Sequence, residues 1–270
     1  MEMTWRKYIY QLLGAIIMGI DRMLIIARKD LKEILSNFYL RMSLITFPAF
    51  ITFISTLIVL TMAIYKKIPI FLYTGGQETT SNLIILSTHM ILPYFLLSVS
   101  IMPVVLSTYS LIGEKNGNTI EILLSTPASD TDILFGKILP IFLLVLGIFI
   151  LSFCMFTVFI DVVTMRDMGE IYLPDTFSLV VIFITGPLYA FLSTVLGLLI
   201  SSRVNDIKAA QQIGSVVIVP IIGLLVFVQY SLSFQLIMMF SSILFVLDIF
   251  LFYISLMVFK REDILIRWNK

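Results

Sequence analysis

The chain is short of almost everything that soluble catalysis and disulfide stapling depend on. Its 270 residues include one cysteine and one histidine. Cys154 therefore forms no intrachain disulfide and has no thiolate neighbour for a metal site; its place inside an apolar run predicts a small core residue. HExxH, CxxC and GxxxxGK[ST] are all missing from the sequence. Without the last, no backbone cradle and lysine hold nucleotide phosphates, so any ATP hydrolysis belongs to another chain. Intramembrane proteolysis needs paired aspartates, a serine with a histidine base, or zinc, and headgroup transfer needs clustered carboxylates. Neither set is present, and the chain is read as no enzyme, with no catalytic, cofactor-binding or metal residues of its own. Charge is scarce as well, at 13% Asp, Glu, Lys and Arg with a formal net charge of +1, which offers nucleic acid nothing to bind.

What the sequence has in excess is apolar residues. At 59% hydrophobic and a mean hydropathy of +1.05, it lies well above the about 45–50% apolar share of soluble domains. The fold class expected is an all-α membrane protein. Apolar runs place six spans at 43–64, 84–112, 133–160, 177–201, 210–229 and 235–259. The domain division that follows is an N-terminal cytoplasmic and interfacial segment (1–42), a six-helix transmembrane domain (43–259) and a C-terminal tail (260–270). The second and third spans are longer than a hydrocarbon core of about 30 Å requires, so they are expected to project into the cytosol. Pro93, Pro103, Pro140, Pro187 and Pro220 lie within spans, where neighbouring helices and waters satisfy freed carbonyls. They read as membrane-helix irregularities in preference to dedicated hinges.

Fifteen of the 18 Lys and Arg residues fall in segments that are cytoplasmic if both termini are inside; Lys66, Lys67 and Arg166 do not. This positive-inside bias predicts a multi-pass protein of the cell membrane with both termini cytoplasmic and the acidic 161–175 loop outside.

Before the first span, the apolar patch Tyr8–Ile20 is too short to cross a bilayer and has no small-residue cleavage site after it, which reads as an uncleaved interfacial helix. From Met23 to Leu40, apolar residues at 24, 27, 31, 34, 35 and 38 recur at helical spacing, with Arg28, Lys29, Asp30, Lys32 and Glu33 on the other side. This reads as an amphipathic helix in the interface, basic face toward the lipid headgroups; a plain cytosolic helix packing on a partner has the same pattern.

Between the second and third spans lies the one sizeable polar stretch, Gly113–Lys137. Asn118 and Glu121 have capping-box spacing, so a helix is expected from Thr119 to Thr126, ended by Pro127. Ile120, Leu123 and Leu124 share one face of it and need cover. Ser129 and Asp132 repeat the start signal and open the helix of the third span.

This stretch resembles the first cytoplasmic loop of ABC-2 type transporter permeases, whose pattern is roughly E-[RK]-x-x-G-T-[LI]-E-x-L-L-x-T-P-x-S followed by I-x-x-G-K. The matching residues are Glu114, Lys115, Thr119, Ile120, Glu121, Leu123, Leu124, Thr126, Pro127, Ser129, Ile133, Gly136 and Lys137. Asn118 stands where that pattern has Gly. The resemblance continues, less specifically, in Arg28-Lys29-Asp30-Leu31, in 201–215 and in the FKREDIL ending, covering about residues 23–266. It implies that 23–40 is an elbow helix and that Asn118 to Pro127 form a coupling helix docking on an ABC ATPase subunit that binds ATP and Mg. It also implies a second permease subunit, identical or sibling, and export of a substrate the sequence does not disclose. An ordinary capped loop helix on the membrane surface is the plain alternative for 119–126. For the whole chain the alternative is a stand-alone secondary carrier or channel, although the several intramembrane ionisable groups of a carrier are missing.

Asp248 is the one acid well inside a span, and His89 lies at a comparable depth by residue count. A charge facing lipid near the bilayer centre costs several kcal/mol, so Asp248 is expected to line the translocation path, to pair with His89, or to hydrogen-bond a Ser, Thr or Tyr on a neighbouring helix.

Overall fold

The computed structural model describes residues 2–65, 80–168, 174–216, 223 and 234–259. All described secondary structure is helical. In chain order it comprises α1 (Glu2–Ser36), α2 (Phe38–Tyr65), α3 (Thr80–Asn116), α4 (Ile120–Leu124), α5 (Asp130–Met168), α6 (Thr176–Val180), a π turn (Val181–Thr185), α7 (Gly186–Arg203), α8 (207–216) and α9 (Phe234–Val258). Five stretches among the described residues are long and apolar enough to cross a membrane: Phe38–Val59, Ile91–Asn116, Asp130–Val162, Thr176–Arg203 and Phe234–Val258. They correspond to the expected first, second, third, fourth and sixth spans. The expected fifth span, 210–229, lies for the most part outside the described residues, as do Pro220 within it and the 260–270 tail.

The N-terminal boundary differs from the expected one. A single helix was expected over 23–40, but the chain breaks at Asn37, whose side-chain oxygen accepts from the amides of Tyr39 (3.0 Å) and Leu40 (3.3 Å) and caps α2. Its amide nitrogen donates to the Tyr109 hydroxyl of α3 at 2.6 Å, which pins the corner. The first span therefore begins at Phe38 rather than at Ser43, and the apolar patch of 8–20 is continuous with α1.

The centre of the molecule is α3 against α7, with α5 packed on α1, α2, α3 and α7, and α9 on α7. Closeness at the centre depends on Gly197, where an added Cβ would stand 1.8 Å from the Ser107 hydroxyl oxygen and 3.1 Å from the Val104 Cα. A fully buried apolar core including Phe95, Leu96, Phe149, Phe156, Tyr189 and Leu192 fills the layer between these helices. Cys154 is not part of it. Its side chain is exposed on the outward face of α5, because helical periodicity buries Phe153 and Phe156 and turns position 154 away.

Proline acts visibly at one point. Pro187 has no amide to give to the carbonyl four residues back, and its ring crowds that carbonyl. The turn immediately before it, Val181–Thr185, is widened to a π turn, and the helix resumes with Gly186–Arg203.

At 37 and 39 residues, α3 and α5 are about 55 and 58 Å long, against a hydrocarbon core of about 30 Å. The overshoot expected from the sequence is larger than the apolar runs alone indicate. Part of it falls on the 161–175 segment, of which 161–168 continues α5.

Candidate coupling site

The ends of α3 and α5 that carry the 113–137 stretch are held by two capping motifs. The first is not the one expected. Asn118 has φ 55°, and the amides of Asn118 and Thr119 bond back to the carbonyls of Lys115 (3.3 Å) and Glu114 (3.1 Å). This is the Schellman closure of α3, with Asn118 as its left-handed residue. Asn118 therefore ends one helix rather than capping the next, and among the described residues neither it nor Glu121 makes the capping-box bonds. Asn is one of the few non-glycine residues that tolerate this backbone, which is why it can stand at a position the resemblance gives to Gly. The short helix starts at Ile120 and ends at Leu124, tighter than the expected 119–126. The second motif is as expected: the Ser129 hydroxyl accepts from the Asp132 amide (3.1 Å) and the Asp132 carboxylate accepts from the Ser129 amide (2.9 Å), opening α5.

Ile120 is buried in this chain's own cluster with Ile26, Leu111, Ile133, Leu134 and Leu198. The face expected from Ile120, Leu123 and Leu124 is thus not wholly open: Ile120 anchors α4 to the protein, while the side chains of Leu123 and Leu124 lie outside the described residues. Glu121 and Pro127 are exposed and Thr126 is half-buried, while Ile122, 68% exposed, is an apolar side chain turned away from the protein. Arg22 of α1 donates to the Pro127 carbonyl at 2.7 Å, fastening the loop to the N-terminal helix.

Behind this loop lies a buried charge cluster. The Lys137 ammonium, with its side chain inaccessible, stands 2.8 Å from Glu114 and 3.1 Å from Asp30, and also donates to the Ser110 hydroxyl at 3.1 Å. Ser110 in turn donates to Asp30 at 2.8 Å, and Lys29 pairs with Glu114. Asp30, Glu33 and Glu114 oxygens lie close enough to resemble a metal site, but the ammonium groups of Lys29 and Lys137 occupy the cation's role. Glu33, half-buried beside them, has its carboxyl raised above the usual range, chiefly by burial.

One elbow residue lies elsewhere than its pattern indicates. Asp30 is on the inward face with Ile26, Ala27 and Ile34, not on a solvated basic face. Leu24, Leu35 and Phe38, on the apolar side of that pattern, are exposed on the protein surface. Arg28 and Lys29 remain on the outside, and Leu31 is half-buried. The helix packs through a charged contact because α5 comes very close. At Gly136 a Cβ would lie 2.9 Å from the Ile26 side chain and 3.1 Å from the Met23 carbonyl. The I-x-x-G-K run thus divides its labour physically: Ile133 fills the core, Gly136 admits α1 and Lys137 neutralises the carboxylates.

Lys115 makes a further tie. Its ammonium donates to the carbonyls of Ser201 (2.7 Å), Ser202 (3.1 Å) and Val204 (3.3 Å) and to Asn205 Oδ1 (3.3 Å). A cation at a helix C-terminus satisfies carbonyls that have no partner within the helix and complements its dipole. Asp206 then caps α8, accepting from the Ala209 amide at 2.8 Å. The cluster and this tie were not anticipated. The signal for both was available in Glu114, Lys115 and Lys137, charged residues of the polar stretch that sit near the ends of α3 and α5.

Of the three alternatives for Asp248, the pairing with His89 is not formed. His89 Nε2 lies 2.9 Å from the carboxylate of Asp175, the residue that caps α6. Burial would raise the Asp175 carboxyl, but bonds from Ser178 and His89 outweigh it and hold the group below its usual range. Residue counting gave depth but not azimuth, and the histidine faces the start of the fourth span. Asp248 is buried on α9, and among the described residues neither oxygen has a hydrogen-bond donor.

Five long apolar helices, with a polar loop locked between two of them, define the class as a membrane-embedded helical protein. The family model described as ABC-2 family transporter protein matches residues 64–261. The chain belongs to that family, and it is a multi-pass, membrane-spanning ABC-2 type permease whose membership implies association with an ATPase subunit. No curated protein matches the chain.

Proposed function

We propose that α4 and the residues around it form the coupling segment on which the ATPase subunit docks, and that the complex exports its substrate. The observation that carries this reading is the combination of an outward apolar side chain, Ile122, with a loop fastened behind by capping motifs and buried charge. A docked partner would push on a rigid body. Through Lys137, Asp30 and Glu114 the push reaches α1, α3 and α5 together, and through Lys115 it reaches the end of α7. ATP and Mg are bound by the partner in this scheme, and closure of two ATPase subunits would switch a path between two permease subunits, identical or sibling.

The topology that goes with it has both termini cytoplasmic, α1 as the interfacial elbow ahead of the break at Asn37, and six spans between 38 and 259, the fifth within 210–229. Segment 260–270 would be a cytoplasmic tail. The positive-inside bias supports this orientation, and the buried face of α1 supports the elbow. An impermeant thiol reagent applied to intact cells, on a Cys154→Ser background, should label Asp167→Cys and spare Asn116→Cys. Labelling of Asn116→Cys alone would reverse the topology.

Docking is tested by Ile122→Asp, which places an unpaired charge where the partner should close over an aliphatic side chain. The variant should insert normally and lose copurification with the ATPase subunit. Retained copurification with full transport would remove α4 from the coupling role.

A further inference from the structure

A groove of ≈ 800 Å³ lies between α5, the π turn with the start of α7, and α9. Five phenylalanines, Phe142, Phe183, Phe191, Phe245 and Phe252, wall it, and its acidic lining residue is Asp248. The volume is that of a drug-sized ligand site.

Asp248 is 4% exposed, and both of its oxygens are buried without a donor among the described residues. The neighbouring serines do not supply one. Ser241 bonds to the Ile237 carbonyl and to Thr185, and Ser242 bonds to the Met238 carbonyl, so their hydroxyl protons are engaged elsewhere. The acid is deep: on α9 it lies fourteen residues from Phe234 and ten from Val258, about 21 and 15 Å along the helix. A carboxylate without a partner at that depth is costly and calls for a cation or donor.

The groove's mouth faces sideways. Phe183, Val246 and Ile249 are 55%, 66% and 56% exposed on the surface that meets the bilayer or a neighbouring subunit. A ligand entering there is dissolved in the membrane, so its body is apolar. Its polar group reaches a depth of about 15 Å along the helix, which a phospholipid headgroup held at the interface does not. Anionic amphiphiles are repelled by the acid. Aromatic walls favour a cation through their ring faces.

We propose that this groove binds a hydrophobic organic amine drawn from the bilayer, with its ammonium group on Asp248 and its apolar body against the phenylalanines. As a substrate class this rests on the export reading; as a binding site it stands without it.

The test uses the purified full chain in phosphatidylcholine vesicles with no ATPase present. A diazirine-bearing dodecylamine is the probe and the matching dodecanol its neutral control, with crosslinks located by mass spectrometry. The amine should label residues within 183–191 and 238–252, and unlabelled dodecylamine should compete. Asp248→Asn should cut amine labelling about tenfold, the loss expected of one charge-assisted hydrogen bond, and leave dodecanol labelling unchanged.

Because that variant could fold poorly, the wild-type preference for amine over alcohol is an independent measurement. Equal labelling by the two probes overturns the proposal. So does labelling outside the groove, equal competition by phosphatidylethanolamine, or a crosslink joining two copies of the chain through this face. Copurification of the ATPase with wild-type chain is read separately, so failure of the amine site and failure of the docking reading cannot be confused.

Discussion

Acidic residues are buried at two levels of this protein, and they are treated in opposite ways. At the loop-bearing end, Asp30 and Glu114 meet Lys137, Lys29 and Ser110, so that a compact set of charges is neutralised within the chain. On α9, Asp248 is buried with no donor among the described residues. The first arrangement makes a joint between helices; the second leaves an unsatisfied demand facing a groove. A permease needs both kinds of site, one to transmit force and one to recognise something, and burial alone does not distinguish them. The partners do.

The comparison is broken most severely at Lys137. Lys137→Met strands two buried carboxylates and should cost about 3–5 kcal/mol, read as a large fall in the thermal unfolding midpoint in detergent. Adding Asp30→Asn and Glu114→Gln should recover most of the loss, because replacing all members of a buried ionic set is far milder than removing one. If the triple variant is no better than the single, the cluster is not a neutralised unit.

Next in size is Gly136→Val, which pushes α1 away from α5. Overpacking of this kind costs about 1–3 kcal/mol, and Ile26→Ala, which makes room, should return part of it. The contrasting acid should respond the other way. Asp248→Asn removes an ionisable group without a partner and should leave the unfolding midpoint equal to or above that of the wild type. A fall comparable with that of Lys137→Met would mean that Asp248 has a structural partner after all.

The smallest effect concerns Asp175. Its folded carboxyl is held below the usual range, so its stabilising contribution is complete above about pH 4 and is lost as pH falls through the folded value. His89→Gln should flatten that acid limb by slightly lowering stability at neutral pH, with little change below the folded carboxyl's range.

Much of this was legible in the sequence, and the reasons are local. Apolar runs reported the third, fourth and sixth spans to within about three residues because a long helix in lipid is nearly all hydrophobic. Ser129 and Asp132 announced the start of α5 because a capping box is a contact between near neighbours. Asn118 was misread because the same residue type ends helices as well as starting them, and only the backbone angle separates the uses. Asp30 was placed on the wrong side because amphipathic reading assigns charge to the outside; the lysine that admits it to the interior arrives from another helix. Pairing His89 with Asp248 failed for a related reason, since depth along a helix says nothing about which neighbour a side chain faces.

The ionic joint also bears on how the protein is made. Asp30 and its ammonium partner Lys137 are 107 residues apart in the chain. During synthesis, Asp30 and then Glu114 are made before the ammonium that neutralises them in the folded chain. Synthesis of the first turns of α5 delivers both the glycine that admits α1 and the lysine that holds it. The seating of α1 in this structure thus depends on a pair of adjacent residues, Gly136 and Lys137, that enter the chain long after α1 is complete.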